Sequence, residues 1–434
     1  MSPRPPFSPS ARAGHLEALR RERFDLLVVG GGITGAGVAL DAATRGLRVA
    51  LVEAGDLAEG TSSRSSRLVH GGLRYLETGD FRLVFEALAE RRRLLELAGH
   101  LVHPLPFLFP LYRSGAVGYR KLQAGMWLYD LLSLFRGVRR HRMLRRHALL
   151  AVEPALLREG LVGGAEYYDA SVDDARLTVA VARAAHDAGA AVVPHAAVTG
   201  FLPGGDGAVR GARVRDALGG ETFEVRADVV VNATGPWSDR LRRLADPEAL
   251  PRLRPTKGVH VVLPGERVGN AGALIFPSPV DGRIMFVLPW GAFTYVGTTD
   301  TDFEGDPYDA GATAEDVAYL LESANALFPA ARLAPEDVLS TWTGVRPLLA
   351  PQRGEDGVAE SATSREHEIW RDAGGLVTVA GGKLTTYRVM AAETVDFALE
   401  VLREARSVAA GESATADLRL PGAPEGEWTA FAAR

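Results

Sequence analysis

Three glycines and one glutamate near the start of the chain have the spacing of a dinucleotide-binding motif. The sequence reads Gly30-x-Gly32-x-x-Gly35, and Glu53 follows 18 residues after the last glycine. Gly30 permits a tight turn, Gly32 lets the backbone approach a pyrophosphate, and Gly35 lets helix and strand pack closely. Glu53 is placed to accept hydrogen bonds from a ribose diol. Together with Thr34 inside the motif, these residues predict dinucleotide binding and leave NAD and FAD equally open.

The elements around this motif supply the geometry that it needs. An apolar run, Leu26–Val29, predicts a buried strand of a parallel sheet, and a helical segment rich in small residues follows the glycines. A second apolar run, Val49–Val52, ends immediately before Glu53. The helix N-terminus offers unpaired N–H groups and a positive dipole end to phosphates. This βαβ order favours dinucleotide binding over an ordinary glycine-rich turn.

A segment rich in hydroxyl groups and arginines, residues 60–75, follows the second predicted strand. It lies where the pyrophosphate and inner ribose of a dinucleotide would continue. Thr61, Ser62 and Ser65 are therefore candidates to cap a helix and to bind phosphate. Without the preceding glycine motif, a solvated serine-rich loop would be an equally good interpretation. The paired glycines of the string HGGLRY, at the end of the segment, place the backbone close to another group.

Two later strands end in turns of small residues that return to the same ligand. The buried run Ala227–Gly235 closes with Thr234 and Gly235, a turn in which only small side chains fit against a dinucleotide. The run Leu376–Ala380 leads into a second glycine turn at the start of a helix, a position that favours anions. This second turn contributes four further candidates for cofactor binding: Gly382, Lys383, Leu384 and Thr385.

The composition excludes several functional classes. A chain of 434 residues is too long for one compact core, so two domains or one elaborated domain are expected. The net charge of −5 gives no drive toward nucleic acid, and the absence of cysteine excludes disulfides, iron–sulfur clusters and thiolate nucleophiles. No metal site is predicted. With no secretory signal and no run of 18 uninterrupted apolar residues, the sequence favours a soluble or peripheral intracellular protein.

A basic and aromatic segment, residues 113–147, stands out from this background. Its arginines and lysine greatly outnumber the single Asp130, and Trp127, Leu131 and Phe135 lie among them. Such a composition suits a helix in the interface of an anionic membrane. The alternative is an amphipathic helix that packs on the core and turns a basic face to water. Because no nucleic-acid-binding module accompanies the charge, nucleic acid is not predicted as a partner.

Hydrophobic periodicity predicts the remaining elements. Helices are expected at 81–98, 173–189 and 313–330, a hairpin at 198–219, and strands over 254–300. Residues 341–348 and 364–365 are expected to be loop-like.

Eight strings along the chain resemble the FAD-dependent glycerol-3-phosphate dehydrogenase family, within the larger group of glutathione-reductase-type and D-amino-acid-oxidase-like flavoproteins. The strings are VVGGGITGAGVALDAATRGL, TSSRSSRLVHGGLRYLE, VDDARL, VNATGPW, KGVHVV, VGTTD, TGVRPLLA and GGKLTTYR. They follow the family's order from about Phe24 to Met390 and cover most of the chain. The first string and VNATGPW are shared by many flavoproteins, whereas HGGLRYLE, GVRPL and GGKLTTYR are far more specific.

The resemblance implies an α/β (α+β) fold, in which a Rossmann-like FAD-binding domain of the glutathione-reductase/D-amino-acid-oxidase type carries an antiparallel-sheet substrate domain. It implies FAD as the cofactor and oxidation of sn-glycerol 3-phosphate to dihydroxyacetone phosphate by hydride transfer to the flavin. Electrons would then pass to a membrane quinone. A phosphorylated substrate requires cations, and the planar fork of arginine suits phosphate best. The matched motifs place the substrate site at Arg74, Tyr75, Arg346, Arg365 and Lys383.

The same resemblance indicates which residues would act on the alcohol group of the substrate. His260 is the candidate base for the hydroxyl proton, because the ordinary pKa of imidazole lies near working pH. A lone strand histidine is more often structural, and Arg346 or Lys383 would also stabilise the developing alkoxide electrostatically. His70 is interpreted as structural, with a histidine-linked flavin left open.

These expectations divide the chain into five parts. They are a flexible N-terminal arm (1–22), a discontinuous FAD-binding domain (24–103, 165–245 and 370–405), a basic amphipathic insertion (104–164), a substrate-binding domain (246–369), and the start of a truncated C-terminal helical region (406–434). Members of the family usually continue into a helical C-terminal domain, so a short form or a truncation is expected. The resemblance also implies a cytoplasmic protein that binds the cytoplasmic face of the inner or plasma membrane peripherally through 113–147, and it leaves a homodimer open.

Three other activities remain open from the sequence. A glycerol-3-phosphate oxidase would use the same site and pass electrons to oxygen. A D-amino-acid or sarcosine oxidase shares the first motif and the turn at Gly235. A non-catalytic FAD-binding protein is the third alternative.

Overall fold

The computed structural model describes residues 6–73, 75–115, 117–135, 137–205, 207–350, 366–372, 374–426 and 428. In chain order the helices are α1 (Pro9–Arg21), α2 (Ile33–Thr44), α3 (Tyr75–Thr78), α4 (Phe81–Leu97), α5 (Tyr119–Leu132), α6 (Arg146–Val152), α7 (Asp174–Ala188), α8 (Ser238–Ala245), α9 (Gly265–Val268), α10 (Ala314–Leu327) and α11 (Tyr387–Ala405). The strands are β1 (Arg23–Val29), β2 (Val49–Val52), β3 (Leu68–Val69), β4 (Val102–Tyr112), β5 (Arg142–Arg145), β6 (Leu161–Val172), β7 (Ala191–Val193), β8 (Ala196–Pro203), β9 (Val209–Asp216), β10 (Thr222–Asn232), β11 (Leu253–Pro264), β12 (Ala273–Pro277), β13 (Ile284–Trp290), β14 (Phe293–Gly297), β15 (Thr301–Asp302), β16 (Ser340–Leu349), β17 (His367–Arg371) and β18 (Val377–Gly381).

The first sheet is built around β1, which pairs in parallel with β2 on one side and with β10 on the other. The full order is β17-β18-β10-β1-β2-β7, and the hairpin β8–β9 extends it from β10. Both faces of β1 are buried, because Leu26 and Val28 pack under α2, α7 and α11 while Leu27 and Val29 pack on the opposite side. A continuous apolar run is what such a doubly covered parallel strand requires. The predicted parallel sheet is therefore confirmed.

The N-terminal segment differs from the prediction of a flexible arm over 1–22. Residues 9–21 form α1, which starts at the N-cap Ser8 and covers the open face of the first sheet. Leu16 and Leu19 are buried in that core, and Arg12 forms an ion pair with Asp216. Over residues 9–21 the prediction was wrong, because the few apolar residues of this segment suffice once they meet an existing sheet. Residues 1–5 lie outside the described part of the chain.

The second sheet has the order β15-β11-β14-β13-β12-β4-β6-β3, with β16 paired to β11 and β5 to β6. Its pairs are antiparallel except for β12 with β4. This sheet is the predicted antiparallel layer, but its membership corrects the predicted boundaries. The prediction placed residues 104–164 in an insertion separate from the substrate-binding domain. Most of β4 falls within these residues, yet β4 and its partner β6 are inner strands of the second sheet.

The segment 341–348 is a second correction, since it was expected to be loop-like. It belongs to β16, which pairs antiparallel with β11 over ten residues. Gly344 and Pro347 favoured a loop in the sequence, but the threonines, Trp342 and Val345 are strand-forming residues and the long partner strand decides the outcome. The predicted helices at 81–98, 173–189 and 313–330 and the hairpin at 198–219 are confirmed by α4, α7, α10 and β8–β9.

Helix α5 occupies the centre of the predicted basic segment. Its inner side packs on the second sheet through buried Leu122, Met126 and Tyr129, while Trp127 and Leu131 are 51% and 54% exposed. Among the described residues, no helix combines the length and the apolar character needed to span a bilayer.

Candidate functional site

The carboxyl ends of four parallel strands bring the predicted cofactor residues to one edge of the first sheet. β1 leads into Gly30, β2 into Glu53, β10 into Thr234, and β18 ends beside Gly382. Ligands of open α/β sheets bind at this edge, outside the ends of the strands. The fold therefore joins segments that are up to 350 residues apart in the chain.

Two of the motif glycines are required by close approach of the backbone. Gly30 has a φ of +113°, and a Cβ there would lie 2.5 Å from the carbonyl oxygen of Ala233. A Cβ on Gly35 would lie 1.9 Å from the carbonyl oxygen of Gly30. A side chain at either position would push β1, α2 and the end of β10 apart. Gly32 differs, because a Cβ there would approach only the Ser62 hydroxyl, at 3.1 Å.

The N-terminus of α2 is surrounded by polar groups from the predicted motif. Ile33 N–H donates to Ser62 Oγ at 2.9 Å, and Gly31 N–H donates to Glu53 Oε2 at 2.6 Å. The other Glu53 oxygen accepts from Gly55 N–H at 2.9 Å. Burial raises the pKa of Glu53, while the hydrogen bonds from Gly55 and Gly31 lower it. The carboxylate is thus held next to the glycine turn, where a ribose diol would meet it. Thr34 lies half-buried in the first turn of α2.

The three hydroxyl candidates of the segment after β2 have different surroundings. Ser62 faces the start of α2, as just described. Thr61 Oγ1 donates to the carbonyl oxygen of Val345 at 2.6 Å, and Ser65 Oγ donates to Asp174 Oδ2 at 2.7 Å. The structure therefore brings Ser62 to the candidate phosphate position and gives Thr61 and Ser65 partners within the protein.

The turns after β10 and β18 complete this edge. Thr234 Oγ1 donates to Asn232 Oδ1 at 2.7 Å, and Gly235 has a φ of +54°. Gly382 has a φ of +74°, and a Cβ there would lie 2.4 Å from Met390 Sδ. A 3₁₀ turn, Leu384–Thr386, lies between Lys383 and α11, which starts at Tyr387. Leu384 packs against the core of the first sheet, and Thr385 is buried.

A cleft of about 80 Å³, open to solvent, is lined by strands of the second sheet and by the segment 68–75, and Tyr75 connects it to the turn after β18 through its contact with Lys383. Its polar lining comprises His70, Tyr75, Tyr167, Asp169, Arg283, Thr298, Asp300 and Arg346, and its apolar lining includes Phe107, Ile275 and Phe286. Arg346 and Tyr75 are thus brought together as predicted substrate residues. The predicted Arg74 and Arg365 lie outside the described residues.

Arg346 is held by a polar frame at the wall of the cleft. Its Nη1 donates to Asp300 Oδ1 at 3.0 Å, and its Nη2 donates to Thr298 Oγ1 at 3.1 Å. Gly258 on the neighbouring strand makes room for the guanidinium, since a Cβ there would lie 2.3 Å from Nη2. The Lys383 ammonium lies 3.6 Å from the centroid of the Tyr75 ring, a cation–π contact that ties the second glycine turn to the HGGLRY segment.

His260 has a buried position behind this wall. It is 3% exposed, its ring stacks on Trp342 at 4.6 Å, and its Nε2 lies 2.9 Å from Ser66 Oγ. Burial first, and then the positive charges of Arg346 and Arg67, lower the pKa of His260 to about 3. The imidazole is therefore neutral near pH 7. It does not belong to the lining of the cleft, whereas His70 does.

Five polar residues of the cleft were not among the site residues named from the sequence: Tyr167, Asp169, Arg283, Thr298 and Asp300. Two of them show what signals the sequence offered. Arg283 lies at the start of β13 and donates to the backbone oxygen of Asp300. Asp169 is 2% exposed, forms an ion pair with Arg91, and accepts from Tyr129 Oη at 2.7 Å. A carboxylate in the string EYYDAS, between apolar positions of a strand, was the available signal for Asp169. Arg283 left none, because its neighbours DG and IM are typical of any hairpin.

Comparison with known proteins places these features in context. The family model described as FAD dependent oxidoreductase matches residues 25–388. Glycerol-3-phosphate dehydrogenase 2 of Mycobacterium tuberculosis is 47% identical over 398 residues, which are 91% of this chain and 66% of that protein. Aerobic glycerol-3-phosphate dehydrogenase of Staphylococcus haemolyticus is 41% identical over 408 residues, 94% of this chain and 72% of that protein. The chain thus spans about two thirds of the length of these relatives.

A solved structure agrees in fold and in sequence. The glycerol-3-phosphate dehydrogenase of Bacillus halodurans, solved in complex with FAD, superposes with a TM-score of 0.79 at 35% identity. The match covers 97% of this chain and 72% of that one.

Proposed function

This chain belongs to the FAD-dependent oxidoreductase family, and on that premise we propose that it oxidises sn-glycerol 3-phosphate to dihydroxyacetone phosphate. Its cofactor is FAD. The observation that carries the proposal is the cleft on the second sheet, which Arg346 and Arg283 line and which Tyr75 connects to Lys383 of the second glycine turn. A small alcohol that bears a phosphate is the substrate class that these cations suit.

The residues at the strand ends fit FAD. Gly32 and the start of α2 would receive the pyrophosphate, since a Cβ on Gly32 would approach only the Ser62 hydroxyl and a helix N-terminus favours anions. Glu53 would hold the adenosine ribose, and the turns at Thr234–Gly235 and Gly382–Leu384 would border the remainder. When bound, FAD supplies a two-electron acceptor for hydride.

Arg346 would bind the phosphate, and its polar frame determines how. Asp300 and Thr298 fix the plane of the guanidinium, so little side-chain entropy is lost when the substrate arrives. Lys383 would stabilise negative charge that develops on the alcohol oxygen, or contact the phosphate from the opposite side. Tyr75, held under the Lys383 ammonium, would position the substrate between them.

We propose His260 as the base because its imidazole is neutral. Since His260 does not line the cleft, the proton would reach it through the Ser66 hydroxyl, which lies 2.9 Å from Nε2. A pKa of about 3 makes it a weak base in the free protein. Arg346 is the second cause of that low value, so a phosphate dianion bound to Arg346 would offset this positive charge and raise the pKa. Substrate binding would in this way prepare the base.

The proposed reaction is tested by the flavin's own colour. Anaerobic addition of glycerol 3-phosphate to the purified yellow protein is expected to bleach the absorption near 450 nm, because two electrons per molecule reduce the flavin. Glycerol, sarcosine and D-alanine are the matched controls and should leave the absorption unchanged. Bleaching by sarcosine or D-alanine alone would reassign the protein to the amine oxidases. No bleaching by any of them would leave a protein that only binds FAD.

We also propose that the electrons pass to a membrane quinone, through binding of α5 to an anionic bilayer surface. The outer side of α5 carries Trp127 and Leu131, and Phe135 follows it, all exposed, with Arg120 and Lys121 beside them. Exposed aromatic and apolar side chains flanked by cations favour an interfacial position. The sequence allowed two interpretations of the basic segment, packing on the core and binding to a membrane. The first describes the inner side of α5, and we propose the second for its outer side.

This acceptor proposal predicts that anionic vesicles containing quinone accept electrons in preference to oxygen. With glycerol 3-phosphate in air, quinone reduction should exceed hydrogen peroxide formation several-fold. Leu131→Asp should lower the vesicle-dependent rate by roughly fivefold or more, because it places a charge in an anionic interface. The same variant should match the parent with a water-soluble dye as acceptor. Stoichiometric peroxide with no preference for quinone would make the protein an oxidase.

A further inference from the structure

An aromatic pair joins the two sheets beside the FAD-binding edge. Trp237 ends the 3₁₀ turn Gly235–Trp237 that follows β10, and its ring lies 4.5 Å from the ring of Tyr308. Tyr308 belongs to the loop after β15 of the second sheet, in the 3₁₀ turn Pro307–Asp309. The string VNATGPW ends in this tryptophan.

One carboxylate holds the pair together. Asp306 Oδ1 accepts from Trp237 Nε1 at 3.1 Å and from the Tyr308 backbone N–H at 3.1 Å. Its other oxygen accepts from Arg240 Nη1 at 3.2 Å, on α8 of the first sheet. The loop 303–310 is therefore attached to the first sheet by charge, hydrogen bond and ring contact at one point.

The pair stands at the adenosine end of the cofactor position. A Cβ on Gly60 would lie 2.9 Å from the Trp237 ring, and Gly60 is in the segment that follows Glu53. Burial, followed by the negative charges of Glu53 and Glu59, raises the pKa of the Tyr308 phenol. The phenol is thus within the field of the carboxylate that would hold the ribose. Tyr308 nevertheless keeps 45% of its surface exposed, so part of the side chain is open to a ligand.

We propose that Tyr308, fixed by Asp306 and backed by Trp237, closes over the adenosine half of FAD and slows its release. A ring that is supported on one side and partly exposed offers an apolar surface to a ribose or adenine without loss of side-chain freedom on binding. Because Tyr308 follows a strand of the second sheet, its contact with FAD would attach the cofactor to both sheets. This role rests on FAD binding alone and does not depend on the substrate.

The release of FAD from the diluted holoenzyme, followed by flavin fluorescence, tests the proposal. Tyr308→Ala is expected to release FAD about five- to tenfold faster than the parent, the effect of one aromatic contact. Asp306→Ala should act in the same direction, because it frees the loop from Trp237 and Arg240. Tyr308→Phe keeps the ring and should stay within twofold of the parent. Tyr119→Ala, an exposed tyrosine on α5, is the matched control and should release FAD at the parental rate.

Reconstitution with FMN separates this role from a general loss of structure. FMN lacks the adenosine half, so Tyr308→Ala should weaken FAD binding about five- to tenfold and FMN binding less than twofold. Release of FAD at the parental rate from Tyr308→Ala would overturn the proposal. Equal weakening of FAD and FMN would also overturn it, because the tyrosine would then support the fold rather than the adenosine.

Discussion

Arg346→Ala is expected to lower kcat/KM for glycerol 3-phosphate by roughly 10²-fold, mainly through a higher KM. The substrate phosphate would lose a charged hydrogen-bond donor, which typically contributes about 1.5–3 kcal/mol. The change would also leave the 4%-exposed Asp300 carboxylate without its 3.0 Å ion pair, in a cleft that must admit a dianion. Arg283 is not a substitute, because its Nη1 contacts the backbone oxygen of Asp300. Steady-state kinetics on protein of verified FAD content measures the effect.

Two further variants separate the charge of Arg346 from its geometry. Arg346→Lys keeps the charge but cannot bridge Asp300 and Thr298 at once, so an intermediate loss of about tenfold is expected. Asp300→Asn in the Arg346→Ala background should recover part of the affinity by removing the repulsion. A KM within threefold of the parent in Arg346→Ala would place the phosphate elsewhere in the cleft.

The first sheet could be predicted from the sequence because its signals are local. The run Leu26–Val29, the glycine spacing and Glu53 lie within thirty residues, and each follows from the geometry of one βαβ unit. The second sheet was less predictable. β4 and β16 carry prolines and glycines that favour loops, and the long strands β6 and β11 override these signals through pairing that no local pattern contains.

The candidate site likewise combines residues that a local motif marks with residues that only the tertiary fold brings in. The glycines and Arg346 were found because a motif marked them, whereas Arg283 and Asp169 reach the cleft only through the tertiary fold. Phosphate binding by the hydroxyl groups of the segment 60–75 stays a prediction. Ser62 faces the helix start, but Thr61 bonds Val345, and the Ser65 carbonyl accepts from the Trp342 indole at 3.1 Å. This segment joins the two sheets as well as facing the proposed position of the cofactor, and composition alone could not distinguish these two roles.

His260→Gln is expected to lower kcat by roughly 10²–10⁴-fold, the usual contribution of a general base. Glutamine keeps a polar group near Ser66 and a similar volume against Trp342, so KM and FAD content should change little. His70→Gln is the matched comparison, because His70 lines the cleft directly. If His70→Gln causes the large loss and His260→Gln less than tenfold, the base is His70 and His260 is part of the wall.

The pH dependence of stability gives an independent measure of the same histidine. In the folded protein the pKa of His260 is lowered to about 3, so between that value and an unfolded pKa near 6.5 only the unfolded chain binds a proton there. The contribution of His260 to the free energy of unfolding is constant above about pH 6.5. As the pH falls from there toward 3, it destabilises the folded protein with a limiting slope of about 1.4 kcal/mol per pH unit. Chemical denaturation of parent and His260→Gln at pH 7 and pH 5 should therefore show a parent that loses more stability on acidification, by about 1–2 kcal/mol. Equal losses of stability in the two proteins would mean that the unfolded chain does not take up an extra proton at His260. The inference that burial lowers the pKa of His260 would then be wrong.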